Sequence, residues 1–156
     1  MEKILPVKGE LSIDMRARQW CELPYPNHPK GCPNYNKRKT CPPIVSTVKE
    51  RFDLQKPLWV GVVDFDLAAH MERMREKHPD WSARQLACVL YWQAGVNRRL
   101  KDLTLSFHKK NKGTIYTLCP EAMGVHVLKT MRRLGFNIRR NPTQIVYKVS
   151  LIGYPK

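Results

Sequence analysis

At 156 residues and 18.2 kDa, with 42% hydrophobic and 26% charged residues, the chain has the balance of one domain over 1–156. That composition excludes wholesale disorder and leaves little room for two independent domains. Lys and Arg number 28 against 13 Asp and Glu, and the formal charge of +15 points to a polyanionic partner.

No apolar run reaches the roughly 20 residues of a membrane helix, and Met1-Glu2-Lys3-Ile4-Leu5-Pro6 lacks the apolar stretch of a secretory signal. The expectation is a cytoplasmic protein with no membrane partner. Five cysteines in that compartment stay reduced, as thiols or metal ligands, since an odd count cannot pair completely within one chain.

Residues 20–43 hold Pro24, Pro26, Pro29, Pro33, Pro42 and Pro43 with three of the cysteines. Proline at this density forbids regular helix or central strand, so the segment reads as a cysteine- and proline-rich loop that a metal would order. The remainder, 44–156, reads as the core. Ser46 or Thr47 caps a short helix toward Phe52, and Leu58–Val63, apolar throughout, predicts a central strand. Asp66 caps a helix from Leu67 to about Lys77, which His78-Pro79-Asp80 breaks.

Ser82 and Gln85 form a capping box. Leu86, Val89, Leu90, Val96, Leu100 and Leu103 follow at helical spacing and predict the longest helix, with Cys88 inside it as a core residue. His108–Gly113 predicts a turn and Thr114–Leu118 a short strand. Pro120 then opens a helix with Met123, Val127, Met131 and Leu134 as its buried stripe and Gly135 as its C-cap. Alternation over Ile145–Ile152 predicts a last strand. The order of elements argues for an α/β fold, a small sheet covered by helices with the N-terminal cysteine loop added.

The sharpest chemical signal is Cys21, Cys32 and Cys41. Structural zinc usually uses close pairs such as Cys-x2-Cys, absent here, although His28 offers a nitrogen ligand. A [4Fe-4S] cluster tolerates wider spacing, and cysteine followed by proline, a frequent ligand setting in ferredoxins, occurs at Cys32-Pro33, Cys41-Pro42 and Cys119-Pro120. Ordinary reduced thiols are the plain alternative. Cys119, at the N-cap of the Pro120 helix, is either a fourth ligand or a buried strand-end residue. Four ligands suit structure or electron transfer, and three leave one iron open.

The loop Cys32-Pro33-Asn34-Tyr35-Asn36-Lys37-Arg38-Lys39-Thr40-Cys41-Pro42-Pro43 resembles a family described as predicted metal-binding proteins of unknown function, which carry Cys-Pro-x-Tyr-Gly-Lys-x3-Cys-Pro-Pro. Glu121-Ala122-Met123-Gly124-Val125-His126-Val127 is similar to the family's Glu-Ala-x-Gly-Ile-Asp-Val stretch. The resemblance spans most of 20–153 and implies metal ligation by Cys21, Cys32 and Cys41. Asn36 replaces the family's glycine, His126 replaces its Asp, and the second, ferredoxin-like cysteine cluster of many members is absent. That absence argues against electron relay between two clusters.

Between Arg98 and Arg140 stand eleven cations, among them Arg98, Arg99, Lys129, Arg132, Arg133, Arg139 and Arg140, against only Asp102 and Glu121. A second cluster, including Lys37, Arg38 and Lys39, surrounds the cysteine loop. Such an excess predicts binding to nucleic acid through phosphates. Trp20, Tyr25 and Tyr35 either stack on bases, which favours RNA or single strands over duplex DNA, or pack the loop onto the sheet. Asp64 and Asp66 at a strand end form a weaker carboxylate pair, with structural roles as the simpler explanation. No phosphate-binding glycine loop, dinucleotide fingerprint or Gly-x-Ser-x-Gly elbow occurs, so no catalytic residue is named.

Overall fold

The computed structural model describes residues 1–24 and 28–156. Its central strand, β2 (Trp59–Asp66), turns Val60 and Val62 to one face of a sheet and Gly61 and Val63 to the other, as strand alternation requires. Both faces are covered, and the run is accordingly apolar on both. β2 pairs antiparallel with β1 (Glu2–Pro6) and with β4 (Ile145–Gly153), and β4 carries β3 (Ile115–Thr117). The order is β1-β2-β4-β3, all antiparallel. The fold is α/β, as the element order predicts.

The helices begin where their caps dictate. Thr47 and Glu50 form a capping box for α1 (Val48–Arg51), and the Asp66 carboxylate accepts from the Ala69 N–H at 2.8 Å to start α2 (Leu67–Lys77). Ser82 and Gln85 box α3 (Ala83–Leu86), and α4 (Gln93–Lys110) is the longest helix. On one face of the sheet, Val63, Leu67, Trp92, Val96 and Leu100 form a core under α4. The Thr104 hydroxyl of α4 donates to the Leu100 carbonyl at 2.7 Å and lies 2.7 Å from the Ser150 hydroxyl. This approach needs a glycine at 61, because a Cβ there would collide with Ser150 Oγ. On the other face, Val60, Val62, Val149 and Leu151 pack with Val48, Phe52, Met123 and Met131.

Two predicted helices are each broken in two. The helix expected from Ser82 stops at Leu86; Cys88 turns extended, and Val89–Tyr91 form a 3-10 turn before α4. The Trp92 indole explains the break: it donates back to the Ala87 carbonyl at 3.2 Å and stacks on Phe65 at 4.7 Å, which anchors the chain off the helical path. Val89 and Leu90, placed in the buried stripe by spacing, are 45% and 84% exposed, and Cys88 is half-buried at the break rather than in the core.

The second break falls at Gly124, whose φ of +92° ends a 3-10 turn (Pro120–Met123) before α5 (Val127–Arg133). Its cause is long-range: the Asp14 N–H donates to the Gly124 carbonyl and the His126 N–H to the Ser12 carbonyl, both at 2.8 Å, stitching residues 12–14 along 124–126. Met123, Val127 and Met131 are buried as expected, and Gly135 caps α5 with the Phe136 N–H returning to the Met131 carbonyl at 3.1 Å. The turn expected over His108–Gly113 is shorter, since α4 runs to Lys110. β1 and a 3-10 turn over Met15–Glu22 are not anticipated by the sequence pattern.

Candidate metal centre

The Met15–Glu22 turn begins at Asp14, whose carboxylate accepts from the Arg16 N–H at 3.0 Å, and it carries Cys21 in its last part. It packs on the Pro120–Met123 turn, of which Cys119 is the N-cap. The cysteine loop closes onto the same place, with the Cys32 N–H donating to the Cys21 carbonyl at 2.6 Å. Gly31 makes this approach possible: its φ is +82°, and a Cβ would run into the Cys21 carbonyl.

Internal hydrogen bonds shape the rest of the loop. Tyr35 N–H donates to Cys32 O at 3.1 Å, Asn36 N–H to Pro42 O at 2.8 Å and Cys41 N–H to Arg38 O at 3.0 Å. Asn36 has φ +55°, the left-handed region in which asparagine is the usual substitute for glycine. Arg18 ties the loop's end to the Met15–Glu22 turn by donating to the carbonyls of Pro43 at 3.1 Å and Val45 at 2.7 Å.

The electrostatics record how the thiols are grouped. Burial pushes the Cys21 thiol above its ordinary pKa, and repulsion from Cys32, Cys41, Glu121 and Glu22 pushes it further. Cys119 is an exposed residue, yet loss of water around its thiol raises its pKa; Glu121 adds to the rise, Lys148 opposes it, and Cys41 and Cys21 contribute. Desolvation likewise raises the half-buried Glu121 carboxyl. Cys21, Cys32, Cys41 and Cys119 thus come from three separate stretches of chain into one electrostatic neighbourhood. Among the described residues no group of three His, Cys, Asp or Glu side chains is arranged to hold a metal ion. Cys88 lies elsewhere, against Trp81 and Tyr91.

The other sequence candidates divide sharply. Lys37, Arg38, Lys39, Arg98, Lys129, Arg139 and Arg140 are exposed. Arg132 and Arg133 are exposed too, and they donate to the carbonyls of Ile138 at 3.1 Å and Glu10 at 2.9 Å, hydrogen bonds that leave their charge unneutralised. Arg99 instead is matched by carboxylates, 2.7 Å from Glu2 and 4.0 Å from Asp64. Asp64 also pairs with the Met1 amine at 2.6 Å, so it and the capping Asp66 are structural. Trp20 is 40% exposed, with its ring edge-on to His126 at 5.7 Å, whereas Tyr35 is half-buried and its phenol pKa is raised, chiefly by desolvation and then by the neighbouring Glu22 carboxylate. Tyr25 lies outside the described residues.

His126 is a residue whose role the sequence pattern does not announce. It caps α5 by accepting from the Lys129 N–H at 3.3 Å through Nδ1. Comparison of the chain with protein-family models, with curated proteins and with solved structures finds no match. No helix among the described residues is long and apolar enough to cross a membrane.

Proposed function

We propose that the chain is an iron–sulfur protein that holds a [4Fe-4S] cluster through Cys21, Cys32 and Cys41 and acts on or with RNA through its basic surface. The observation that carries this reading is the convergence of four thiols whose charges oppose one another. Grouped thiols that resist ionising together are relieved by a bound cation, which couples metal binding to the order of the loop. A [4Fe-4S] cluster, a cube several ångströms across, suits cysteines as widely spaced in the chain as Cys21, Cys32 and Cys41 better than a single zinc ion, which usually takes close Cys-x2-Cys pairs. The likeness of the Cys32–Pro43 loop to the predicted metal-binding family supports the same assignment. Zinc with His28 as a ligand, in a non-enzymatic nucleic-acid-binding module, is the alternative.

With three cysteine ligands the cluster offers an open iron, suited to Lewis-acid or sulfur chemistry on a nucleoside. A second reading is favoured by one observation: the Cys119 thiol feels Cys21 and Cys41. As a fourth ligand it would close the cluster, which suits electron transfer or redox sensing. Iron and acid-labile sulfide, measured on protein purified without oxygen, test the assignment. About four of each per chain is the expected result for this ligation, and one zinc without sulfide overturns it. Replacing Cys119→Ser separates the two readings: retention of the cluster supports the open iron, and its loss supports the closed one.

A further inference from the structure

A cleft of about 480 Å³ opens where α3 meets the Val89–Tyr91 turn, lined by Trp81, Ser82, Arg84, Gln85, Cys88 and Tyr91. Its aromatic wall is held in place from behind. Trp81 lies flat on the His78 ring, with 3.9 Å between centroids and 6° between planes, and Tyr91 leans on Trp81 at 5.4 Å. The turn that supplies Tyr91 also carries Val89 and Leu90, both exposed, Leu90 to 84%. An aromatic hollow and a protruding aliphatic side chain therefore stand side by side on one surface. Contiguous exposed apolar side chains of this kind mark sites of protein contact.

Charge decides what this surface meets. The chain carries +15, yet residues 79–97 hold a single carboxylate, Asp80, and a single cation, Arg84. A stretch with no net charge offers phosphates nothing to neutralise, which separates it from the basic surface assigned to RNA. Two copies of so basic a chain repel one another over most of their surfaces, and a balanced patch is where they can meet. Asp80 and Arg84 enter no ion pair among the described residues, so one acid and one base are free to pair reciprocally with those of a second copy. A knob beside a hollow is also self-complementary, as a two-fold interface requires, because each copy presents what the other receives.

We propose that this face joins two copies of the chain about a two-fold axis, with Leu90 of each seated in the aromatic cleft of the other. The test is the mass of the full chain in solution, purified without oxygen and measured by light scattering and sedimentation over a dilution series. The parent should appear as a species of twice 18.2 kDa that dissociates on dilution. Leu90→Asp replaces a side chain too exposed to matter for folding, so it should keep the parent's circular dichroism while raising the dimer dissociation constant at least about tenfold. Trp81→Ala should weaken the dimer as well; if its circular dichroism shows that it has lost its fold, Leu90→Asp alone decides.

Association should hold as salt rises, since screening reduces the repulsion between the two basic chains, and it should survive ribonuclease. A dimer dissolved by salt or by ribonuclease is bridged by nucleic acid and overturns the proposal. A parent that is monomeric throughout the dilution series overturns it too, as does a dimer that Leu90→Asp leaves intact. A monomeric parent whose RNA affinity falls on Leu90→Asp assigns the patch to bases instead. The measurement is made without nucleic acid, so its result is independent of the RNA reading.

Discussion

The Cys32 N–H donates to the Cys21 carbonyl at 2.6 Å, so two proposed ligands are joined through backbone before any metal is considered. The loop is therefore pre-shaped by hydrogen bonds and by Arg18, and a bound cluster would tighten an arrangement the polypeptide already favours.

Gly31 is the hinge of that contact. Gly31→Ala forces a Cβ into the Cys21 carbonyl at a φ of +82° and should cost about 1–3 kcal/mol from left-handed strain and overpacking together. Iron content should fall with it. Gly9→Ala is the control, since Gly9 has a similar φ of +70° but open space around it. It should show only the backbone cost and keep full metal content. Chemical denaturation and iron analysis of both proteins check the pair.

Asn36 gives a gentler version of the same test. At φ +55° Asn36→Gly should change stability by less than about 0.5 kcal/mol, whereas Asn36→Ala should lose about 1 kcal/mol. Equal stability of the two variants would contradict a left-handed residue 36. Asparagine at position 36 is thus a residue that this backbone conformation tolerates.

Acid should loosen the turn that carries Cys21. The Asp14 carboxyl, held down to about 2 by its hydrogen bonds from Arg16, binds protons less readily folded than unfolded, where its value is 3.8. Its contribution to stability is complete above the unfolded value and disappears as the pH falls through about 2. The Arg16 side chain is exposed, so the effect is small and weakens with salt. An NMR titration should place the Asp14 midpoint near 2, and Asp14→Asn, which can still cap but does not titrate, should flatten the acid side of the stability profile.

How far the sequence reveals this arrangement depends on the range of the interactions involved. Asp66, Thr47 and Ser82 act within one turn of chain, and the helix starts they imply are correct. The breaks at Cys88 and Gly124 are set by contacts that periodicity cannot register, Trp92 on Phe65 and residues 12–14 on 124–126. β1 is half polar and has only Ile4 and Leu5 to announce it. At the candidate site, the Cys-Pro spacing singles out the cysteines, but their convergence depends on one 3-10 turn packing on another. The backbone contact between Ser12 and His126 has no local signal in the sequence; only the fold places the two together.

The buried Thr104–Ser150 pair predicts a measurable coupling across the sheet. Thr104→Val deprives Ser150 of its partner and should cost about 1–3 kcal/mol, and Ser150→Ala should cost less because Thr104 keeps the Leu100 carbonyl. The double variant should be less destabilised than the two single losses combined. Strict additivity in urea denaturation would show that the two hydroxyls are not partners.

RNA binding should depend on which cations are already neutralised. Lys37, Arg38 and Lys39 are exposed and enter no ion pair among the described residues, while Arg99 sits between Glu2 and Asp64. Replacing Lys37, Arg38 and Lys39 by alanine should weaken binding to single-stranded RNA and reduce the slope of log affinity against log salt by about 0.7 for each phosphate that the variant no longer neutralises. Arg99→Ala should leave affinity and slope unchanged while lowering the melting temperature, because it leaves the Glu2 carboxylate of β1 without its partner and removes a hydrogen bond to the Asp64 carbonyl of β2. An unchanged slope in the triple variant would move the RNA away from the cysteine loop. The cations of α5, Lys129, Arg132 and Arg133, would then be the ones to replace next.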